Sequence, residues 1–448
     1  MYKFIDEFSQ FILDSERYLW KTPETGYREY KTNAYMIEQF EKLGYKLERP
    51  KDITGFYTVV DTGRKGPTVL VFAELDSLIN RSHPECDKST GAVHTCGHHA
   101  QCAMMLGLAK ALKQEGALDG LSGKIKLCVV PAEEGIEISY RKELVNKGVI
   151  TYTSGKPEFI SRGYFDDVDI AFMVHADVES DTKIKFKAVK GHNGVIRKRT
   201  TVKGKASHAG ESPDQGINAL NAASLIILAI NSLRETFKEK YQTRIHSIIE
   251  KGGDVVNSVP DEVIIESYVR ALDPIMHKKI NDSVNRAISA SAVAIGATTL
   301  IEDFSGSESF IEDENLRSVA FEVFEEIAGK DGYEYTDEIL GSSTDMGDVG
   351  SLFPSIHVYT TGGVGTLHGK DFFVDDAYNM CVNGTKFQYG LIRKLLENNA
   401  EKAKDIISKY KPIFSTIKEY LAHKNSINMC KDTVVFNDDG TITIDYKS

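Results

Sequence analysis

Short runs of residues that are apolar on both faces constrain the fold of this 448-residue chain more than any other feature. The runs lie at residues 68–73, 124–130, 168–174 and 355–359, and stretches with helical spacing, such as 31–43 and 101–112, lie outside them. Strands that are buried on both faces are typical of parallel sheets covered by helices on both sides. The sequence therefore predicts an α/β fold with a largely parallel sheet and helices on both of its faces.

The pattern changes between residues 186 and 305. Residues 186–202 and 244–249 alternate apolar and polar side chains, and 262–270 do so less regularly. Helical stretches at 216–237 and 274–294 lie among these strands. Half-exposed strands with two helices predict an inserted α+β domain with one open sheet face. We expect the main domain to comprise residues 1–185 and 306–448, with a C-terminal extension, and the inserted domain to comprise 186–305.

Composition excludes several classes of protein. With 54 Lys and Arg against 65 Asp and Glu, the net charge is -11. This charge disfavours electrostatic binding of the whole chain to nucleic acid or to an anionic membrane. The longest apolar stretch is too short to span a bilayer, and the first twenty residues resemble an amphipathic helix rather than a signal peptide. The six cysteines are too few for a disulfide scaffold, which favours a cytoplasmic protein.

Acidic and imidazole side chains follow all four apolar runs. In an open parallel sheet, ligands bind beyond the carboxyl ends of the strands, so these side chains are expected to meet at one edge. This expectation depends on all four strands being parallel. The side chains are Glu74 and Asp76 after the first run, Glu133 and Glu134 after the second, His175 and Asp177 after the third, and His368 after the fourth.

Residues 94–99 (HTCGHH) fit the same edge of the sheet. Cys96 and His98 are two positions apart, so both point the same way in an extended loop, and Gly97 permits a tight turn between them. Thiolate and imidazole suit zinc, and imidazole also accepts manganese or cobalt. The alternative is a pair of loop histidines beside a buried thiol. The convergence with Glu134, His175 and His368 favours a metal site.

Glu133 and Glu134 are adjacent carboxylates directly after an apolar run. On a strand or its exit loop their side chains diverge, so one can bind metal while the other faces a water. A water between two divalent cations is acidified, and the second carboxylate can take its proton. The alternative is two solvated loop acids.

Several motifs in chain order resemble the aminoacylase/carboxypeptidase family of metallopeptidases, in the amidohydrolase branch that includes aminobenzoyl-glutamate and auxin-conjugate hydrolases. The stretch SSTDMGDV at 342–349 is most similar to the aminobenzoyl-glutamate type. The other matching stretches are PETG at 23–26 with Glu29, ELDSL at 74–78, HTCGH at 94–98, PAEEG at 131–135, GKASHA at 204–209, GINAL at 216–220, NSVPD at 257–261 with Arg270, and TLH at 366–368.

The resemblance implies a catalytic domain with a site for two divalent metal ions, zinc or manganese, with cobalt as a third candidate. Glu133 matches the general base. Asp76 matches an acid that supports the metal site, a role with physical sense because a ligand imidazole needs its other nitrogen fixed. The positions that match metal ligands are Cys96, in the bridging place, His98, Glu134, His175 and His368.

The resemblance also implies that the inserted domain is a lid through which two chains form a homodimer. His208 matches a lid histidine that polarises the scissile carbonyl in the partner subunit's site, and Asn257 and Arg270 match positions that hold substrate. A guanidinium at 270 suits a substrate carboxylate. The alternatives are a polar residue at a helix entry for His208, a turn residue for Asn257, and a solvent-facing residue for Arg270.

The chain departs from the branch at three places. His99 stands where the branch usually has Asp, and Gln101 stands where a second histidine usually follows. Residues 80–93 are more polar than expected and carry His83 and Cys86, for which an extra ligand or a surface loop are the two interpretations. These changes affect the surroundings of the metal site and leave its core ligands in place.

Together these features predict a dinuclear metal-dependent amidohydrolase. Its substrate would be a small N-acyl or N-aroyl amino acid, similar to aminobenzoyl-glutamate, or a dipeptide-like molecule. The nearest alternative is a dipeptidase or aminopeptidase on the same scaffold. Alternatives from other classes are a non-catalytic metal-binding or ligand-binding protein and a structural zinc protein, which would have a closed four-ligand site.

Overall fold

The computed structural model describes residues 2–179 and 181–447, and the chain divides into two compact units. The first unit runs up to Gly191 and resumes at Ile311–Ile339 and Asp348–Ile417. The second unit contains His192–Phe310, Leu340–Gly347 and the residues from Lys418 onward. The C-terminal segment is therefore grouped with residues of the expected inserted domain. The expected domain boundaries themselves stay a prediction.

Local sequence signals set the ends of several helices. The Asp273 side chain accepts a hydrogen bond from the backbone N–H of Met276 and so caps the helix Pro274–Ile295. This helix ends before Gly296, which is in the left-handed conformation. The helices are α1 (Lys3–Glu7), α2 (Ser9–Trp20), α3 (Tyr30–Lys42), α4 (His98–Leu112), α5 (Ile138–Asn146), α6 (Gly155–Ser161), α7 (Ala219–Leu233), α8 (Pro274–Ile295), α9 (Glu314–Ala328), α10 (Met346–Gly350), α11 (Gly384–Leu396), α12 (Glu401–Lys409) and α13 (Ile417–Ile427).

The strands of the described residues belong to two large sheets and two small two-stranded pairs. In chain order they are β1 (Phe56–Asp61), β2 (Thr68–Glu74), β3 (Leu78–Ile79), β4 (Ala92–Val93), β5 (Lys124–Val130), β6 (Ile170–Val178), β7 (Phe186–His192), β8 (Gly194–Lys203), β9 (Arg244–Lys251), β10 (Glu262–Ala271), β11 (Thr298–Ser305), β12 (Phe310–Ile311), β13 (Tyr333–Leu340), β14 (Ser355–Val364), β15 (Phe373–Val374), β16 (Met429–Asp432), β17 (Val434–Phe436) and β18 (Ile442–Ile444).

The larger sheet has the strand order β1-β5-β2-β6-β14-β7-β12, with β13 beside β7 and β15 beside β14. β2 is parallel to β5 and β6, and β6 is parallel to β14. The four apolar runs are therefore parallel neighbours, as predicted. Helices including α2, α4 and α11 pack into one core with these strands. The predicted fold class is confirmed.

The second large sheet has five strands and lies in the second unit. Its strand order is β16-β11-β8-β10-β9, and every neighbouring pair is antiparallel. Apolar residues of α7 and α8 pack on it in a separate core. The C-terminal segment supplies β16 and a terminal hairpin formed by β17 and β18. Among the described residues, every helix is too short or too polar to cross a membrane.

The alternating stretch at residues 186–202 forms two strands, because the chain breaks at Asn193. β7 pairs with β14 in the larger sheet, while β8 pairs with β10 and β11 in the other one. Both halves show strand-like alternation, and this alternation does not reveal which sheet a strand joins.

Candidate metal centre and active site

The carboxyl ends of the four parallel strands bring the five predicted metal ligands together. Cys96, His98 and His175 form a group, here called the inner triplet, whose ligand atoms lie within 4.8 Å of one another. A second group, the outer triplet, is Cys96, Glu134 and His368, with the same spacing. Because Cys96 belongs to both triplets, its sulfur lies between two candidate cation positions.

A left-handed turn at Gly97 brings Cys96 and His98 together. Gly97 has φ 90°, and α4 begins at the next residue. A Cβ atom at Gly97 would lie 2.5 Å from the Cβ of Ala176, so a side chain here has neither the space nor the favoured conformation. The two ligands were expected to share an extended loop. Instead, one precedes the turn and the other is the first residue of a helix.

Asp76 fixes the orientation of the His98 ring. Nδ1 of His98 lies 2.9 Å from the Asp76 carbonyl oxygen and 3.1 Å from its Oδ1. The other carboxylate oxygen of Asp76 accepts a hydrogen bond of 2.9 Å from the backbone N–H of Glu134. The buried Asp76 carboxylate therefore holds both His98 of the inner triplet and the Glu134 backbone of the outer triplet. Nε2 of His98 remains available to bind a cation.

Glu74 is a buried carboxylate 3.3 Å from Nε2 of His98. Its Oε1 pairs with the Lys156 ammonium, and its Oε2 accepts a hydrogen bond from the Gln101 amide. Although burial opposes ionisation, the charge of Lys156 lowers the pKa of Glu74 to about 2. Glu74 is therefore an anion whose charge is balanced within the protein.

The departures at His99 and Gln101 have structural explanations. Gln101 binds Glu74 with its amide nitrogen and accepts from the Glu74 backbone N–H with its oxygen, at 2.9 and 3.1 Å. Nε2 of His99 lies 3.2 Å from Oε1 of Glu16, and its ring contacts the edge of Trp20. Neither side chain belongs to the two triplets.

The histidines of the two triplets differ in burial. His175 is buried, and burial lowers its pKa to about 4, so it is neutral at pH 7, the form that binds metal. Its Nδ1 lies 2.7 Å from the Ala176 carbonyl oxygen and its Nε2 lies 3.6 Å from the Cys96 sulfur. The side chain of His368 is 56% exposed, and its Nε2 lies 3.3 Å from the same sulfur.

The chemistry of these donors fits two divalent cations. Burial raises the pKa of the Cys96 thiol well above its ordinary value, so a thiolate here needs compensating positive charge. Among the described residues, Nε2 of His98 and Oε1 of Glu134 are buried without a hydrogen-bond partner. Thiolate, imidazole and carboxylate are donors that zinc accepts, and manganese and cobalt accept the nitrogen and oxygen donors.

Glu133 lies beside the triplets on the loop after β5. It is half-buried, and one of its carboxylate oxygens lies within 4.8 Å of ligand atoms of His98 and Glu134. The side chains of Glu133 and Glu134 were expected to diverge, but oxygens of both approach the same centre. The turn of the preceding residue, Ala132, which has φ 56°, lets the loop reach this position.

Sequence reasoning gave no role to the residues that hold this loop. The backbone N–H of Ala132 donates to Oε1 of Glu29 at 2.9 Å, and its carbonyl oxygen accepts from the Arg141 guanidinium at 3.4 Å. Burial, together with the nearby charge of Asp76, raises the pKa of Glu29 to about 8. Only the family resemblance of the PETG stretch with Glu29 singled out Glu29 in the sequence. No sequence signal pointed to Arg141.

The predicted lid residues belong to the second unit. His208 is exposed, and its Nδ1 accepts from the backbone N–H groups of Gly210 and Glu211 at 3.2 and 3.0 Å. His208 forms a bridge with Ser258, which places it beside Asn257. Arg270 lies elsewhere in the unit, where it donates to the Gly341 carbonyl oxygen at 2.8 Å and stacks over Tyr268.

Comparisons with known proteins agree with this geometry. Residues 190–295 match the peptidase dimerisation domain. The chain is 24% identical over 407 residues to N-acetyl-L-cysteine deacetylase of Bacillus subtilis strain 168, covering 87% of this chain and 89% of that protein. It is 26% identical over 318 residues to IAA-amino acid hydrolase ILR1-like 5 of Arabidopsis thaliana, covering 69% and 66%.

The fold also matches a solved structure, a dinuclear metal-binding peptidase of the M20 family from Bacillus subtilis, with a TM-score of 0.63 and 20% identity over 87% of this chain and 99% of that one. These findings confirm the resemblance to the aminoacylase/carboxypeptidase metallopeptidases that the motifs predict. The chain is a metal-dependent hydrolase of carbon–nitrogen bonds, and it is similar to the metallopeptidases that include the amidohydrolases.

Proposed function

We propose that the protein hydrolyses the amide bond of N-acyl or N-aroyl amino acids, including conjugates similar to aminobenzoyl-glutamate, with two divalent metal ions per chain. The observation that carries this proposal is the pair of triplets that share Cys96, with the Glu133 carboxylate beside them. Two relatives named for the hydrolysis of N-acylated amino acids support the substrate class.

The ligand roles follow from the two triplets. His98 and His175 would hold one cation and Glu134 and His368 the other, with Cys96 between them. When bound, zinc, manganese or cobalt would supply Lewis acidity that acidifies a water and polarises the scissile carbonyl. The Glu74–Lys156 pair and Asp76 keep the His98 ring oriented and its surroundings balanced in charge.

Glu133 is the proposed general base. Its carboxylate accepts a proton from the attacking water as the water oxygen bonds to the amide carbon, and it then returns that proton to the leaving nitrogen as the carbon–nitrogen bond breaks. The Ala132 turn, held from both sides by Glu29 and Arg141, presents this carboxylate to the centre. The products are a carboxylic acid and an amino acid.

His208, Asn257 and Arg270 are the proposed substrate contacts of the lid. Because Nδ1 of His208 accepts two backbone N–H groups, the neutral ring carries its proton on Nε2, which can donate to the developing oxyanion. The Arg270 guanidinium suits the free carboxylate of the amino acid. A carboxylate requirement that disappears in Arg270→Ala would support this role, and an unchanged requirement would contradict it.

We propose that two chains form a homodimer through the inserted domain. β9 is an edge strand of its sheet, and Ile248 on β9 and Leu228 on α7 are 52% and 63% exposed. Exposed apolar side chains beside an open strand edge favour pairing with a second copy. Sedimentation should show a dimer that Ile248→Lys weakens, and a monomeric wild-type chain would contradict the proposal.

The expected domain division, with 1–185 and 306–448 as catalytic domain and 186–305 as lid, is part of the same proposal. So is a cytoplasmic setting, which is supported by six cysteines that are all free thiols. Thiolate ligands such as Cys96 need a compartment that does not oxidise them.

The decisive experiment combines turnover with metal content. Glu133→Gln should lower kcat by about 100- to 10,000-fold, because the amide cannot take the proton, while the chain still binds two metal ions. Glu143→Gln is the matched control, since Glu143 is an exposed residue of α5 in the same segment. Near-normal kcat in Glu133→Gln would contradict the assignment of the base, and turnover that survives chelation would contradict the metal mechanism.

A dipeptidase or aminopeptidase is the second candidate, because the structurally similar protein is described as a peptidase. A substrate panel separates the two functions. N-acetyl and N-benzoyl amino acids should be cleaved faster than dipeptides that contain the same residues with a free α-amine. The reverse preference would favour the peptidase.

A further inference from the structure

The segment between β3 and β4, which sequence reasoning left as a surface loop or a source of an extra ligand, forms an ordered hairpin against the His368 loop. β3 and β4 pair antiparallel, with Leu78 opposite Val93 and Ile79 opposite Ala92. The tip is closed by the Asp87 carboxylate, which accepts from the backbone N–H groups of Ser89 and Thr90. The hairpin therefore has an internal structure of its own.

Asn80 on this hairpin holds the backbone of a proposed metal ligand. Its amide nitrogen donates to the carbonyl oxygen of His368 at 3.0 Å, and its amide oxygen accepts from the backbone N–H of Ser82 at 3.1 Å. The backbone N–H of His368 donates to the Thr95 carbonyl oxygen at 2.9 Å, directly after β4. The hairpin and its exit thus hold the peptide groups on both sides of His368.

His83 makes a second contact with the same loop. It is buried, and its Nδ1 accepts from the backbone N–H of Glu85 at 3.1 Å, so the neutral ring carries its proton on Nε2. Nε2 donates to the carbonyl oxygen of Phe372 at 3.0 Å. The ring also packs 5.0 Å from the Phe373 ring. His83 therefore acts through the backbone that follows His368, and it is not a ligand of either triplet.

The conformation of His368 explains why this support matters. His368 has φ 64°, a left-handed conformation that is unfavourable for a non-glycine residue. Its side chain is more than half exposed, so packing does little to hold the ring beside Cys96 and Glu134. Hydrogen bonds to its backbone are the contacts that can keep such a residue in place.

We propose that the 78–93 hairpin is a clamp that positions His368, with Asn80 and His83 as its positioning residues, and that it sets the metal affinity of the outer triplet. This inference rests on the proposed function only in that the two triplets bind cations. It predicts that loss of the clamp weakens one cation site and spares the inner triplet. Loss of partners that orient a ligand typically weakens metal binding by about 10- to 100-fold.

The test is a titration of the metal-free chain with Mn²⁺ or Zn²⁺, which counts the ions bound and their dissociation constants. Asn80→Asp keeps the oxygen that accepts from Ser82 but removes the donor to His368. We expect one of the two ions to bind about 10- to 100-fold more weakly. The added carboxylate would by its charge strengthen cation binding, so a loss of affinity reports the missing hydrogen bond.

Two further variants separate the clamp from the folding of the loop. His83→Gln retains a donor for Phe372 and should retain both affinities, whereas His83→Phe removes the donor and should weaken one site. Ser89→Ala, at the exposed tip, is the control and should behave as wild type. Two ions bound with wild-type affinities by both Asn80→Asp and His83→Phe would overturn the clamp, as would an equal loss at both sites. A wild-type chain that binds no metal would instead overturn the proposed function.

Discussion

The inner and outer triplets share a sulfur but are held by different kinds of structure. In the inner triplet, His175 lies on β6 and His98 begins α4, and both are buried. In the outer triplet, Glu134 and His368 lie on loops, and His368 is exposed and in a left-handed conformation. Regular elements fix a ligand through the whole core, whereas a loop ligand depends on a few hydrogen bonds.

This difference predicts two cation sites of unequal affinity. In a preformed site, ordering the ligands costs little free energy. We therefore expect the inner triplet to bind its cation more tightly than the outer triplet. The outer triplet has one acidic ligand and an open side, which suits a cation that must also meet substrate. The inner triplet would hold its cation permanently, whereas occupancy of the outer triplet would depend on the contacts of its loops.

The largest effect should come from Cys96, the residue common to both triplets. Cys96→Ser replaces a potential thiolate with a hydroxyl that stays protonated, so both sites lose a ligand. We expect metal binding to weaken by more than about 100-fold at both sites, with loss of turnover. Cys102→Ser is the control, because this buried thiol lies on α4 and belongs to neither triplet. Retention of one tight ion in Cys96→Ser would show that the sites do not share the sulfur.

Removing one histidine from each triplet tests the inequality directly. His368→Ala should leave one ion bound with the tighter wild-type constant, and His175→Ala should leave one ion bound with the weaker constant. The reason is that each variant keeps one complete triplet. Titrations of both variants with the same metal give the two constants. If the two remaining constants are equal, the contrast between strand-held and loop-held ligands has no energetic consequence.

Asp76 offers a smaller effect that should reach both triplets. Its two oxygens serve His98 and the backbone N–H of Glu134, and Asp76→Asn can keep only one of these contacts because an amide nitrogen does not accept hydrogen bonds. We expect binding of at least one ion to weaken by about 10- to 100-fold, with folding intact. Unchanged metal constants in Asp76→Asn would show that neither contact matters.

The parallel sheet and the gathering of ligands could be predicted because they follow from local patterns. Runs that are buried on both faces predict parallel strands, and parallel strands bring distant residues such as Glu134 and His175 to one edge. The supporting contacts could not be predicted in this way. Asn80 and His368 are 288 residues apart, and an asparagine in a polar loop has no periodicity that identifies its partner. The same holds for Glu29, which meets Ala132 across 103 residues.

The smallest expected effect is a pH dependence of folding stability that comes from Glu312, a buried residue outside the two triplets. Glu312 is buried, and burial raises its pKa to about 8 from an ordinary value near 4.5, although it accepts a hydrogen bond from the His357 backbone N–H. Between these two values the folded chain keeps a proton that the unfolded chain releases, so stability falls as pH rises from about 4.5 to about 8. The loss should be on the order of a few kcal/mol.

Denaturation of the metal-free Cys96→Ser chain should therefore show this fall. The raised pKa of Glu29 contributes to the same fall, so Glu312→Gln in that background should reduce the slope without abolishing it. Glu314→Gln, an exposed neighbour at the start of α9, is the control and should leave the slope unchanged. If Glu312→Gln leaves the slope unchanged, Glu312 does not contribute to it, and Glu29 or another group is responsible. If it is absent from Cys96→Ser but present in wild type, the pH dependence belongs to the triplets, and the unequal affinities should then be compared at several pH values.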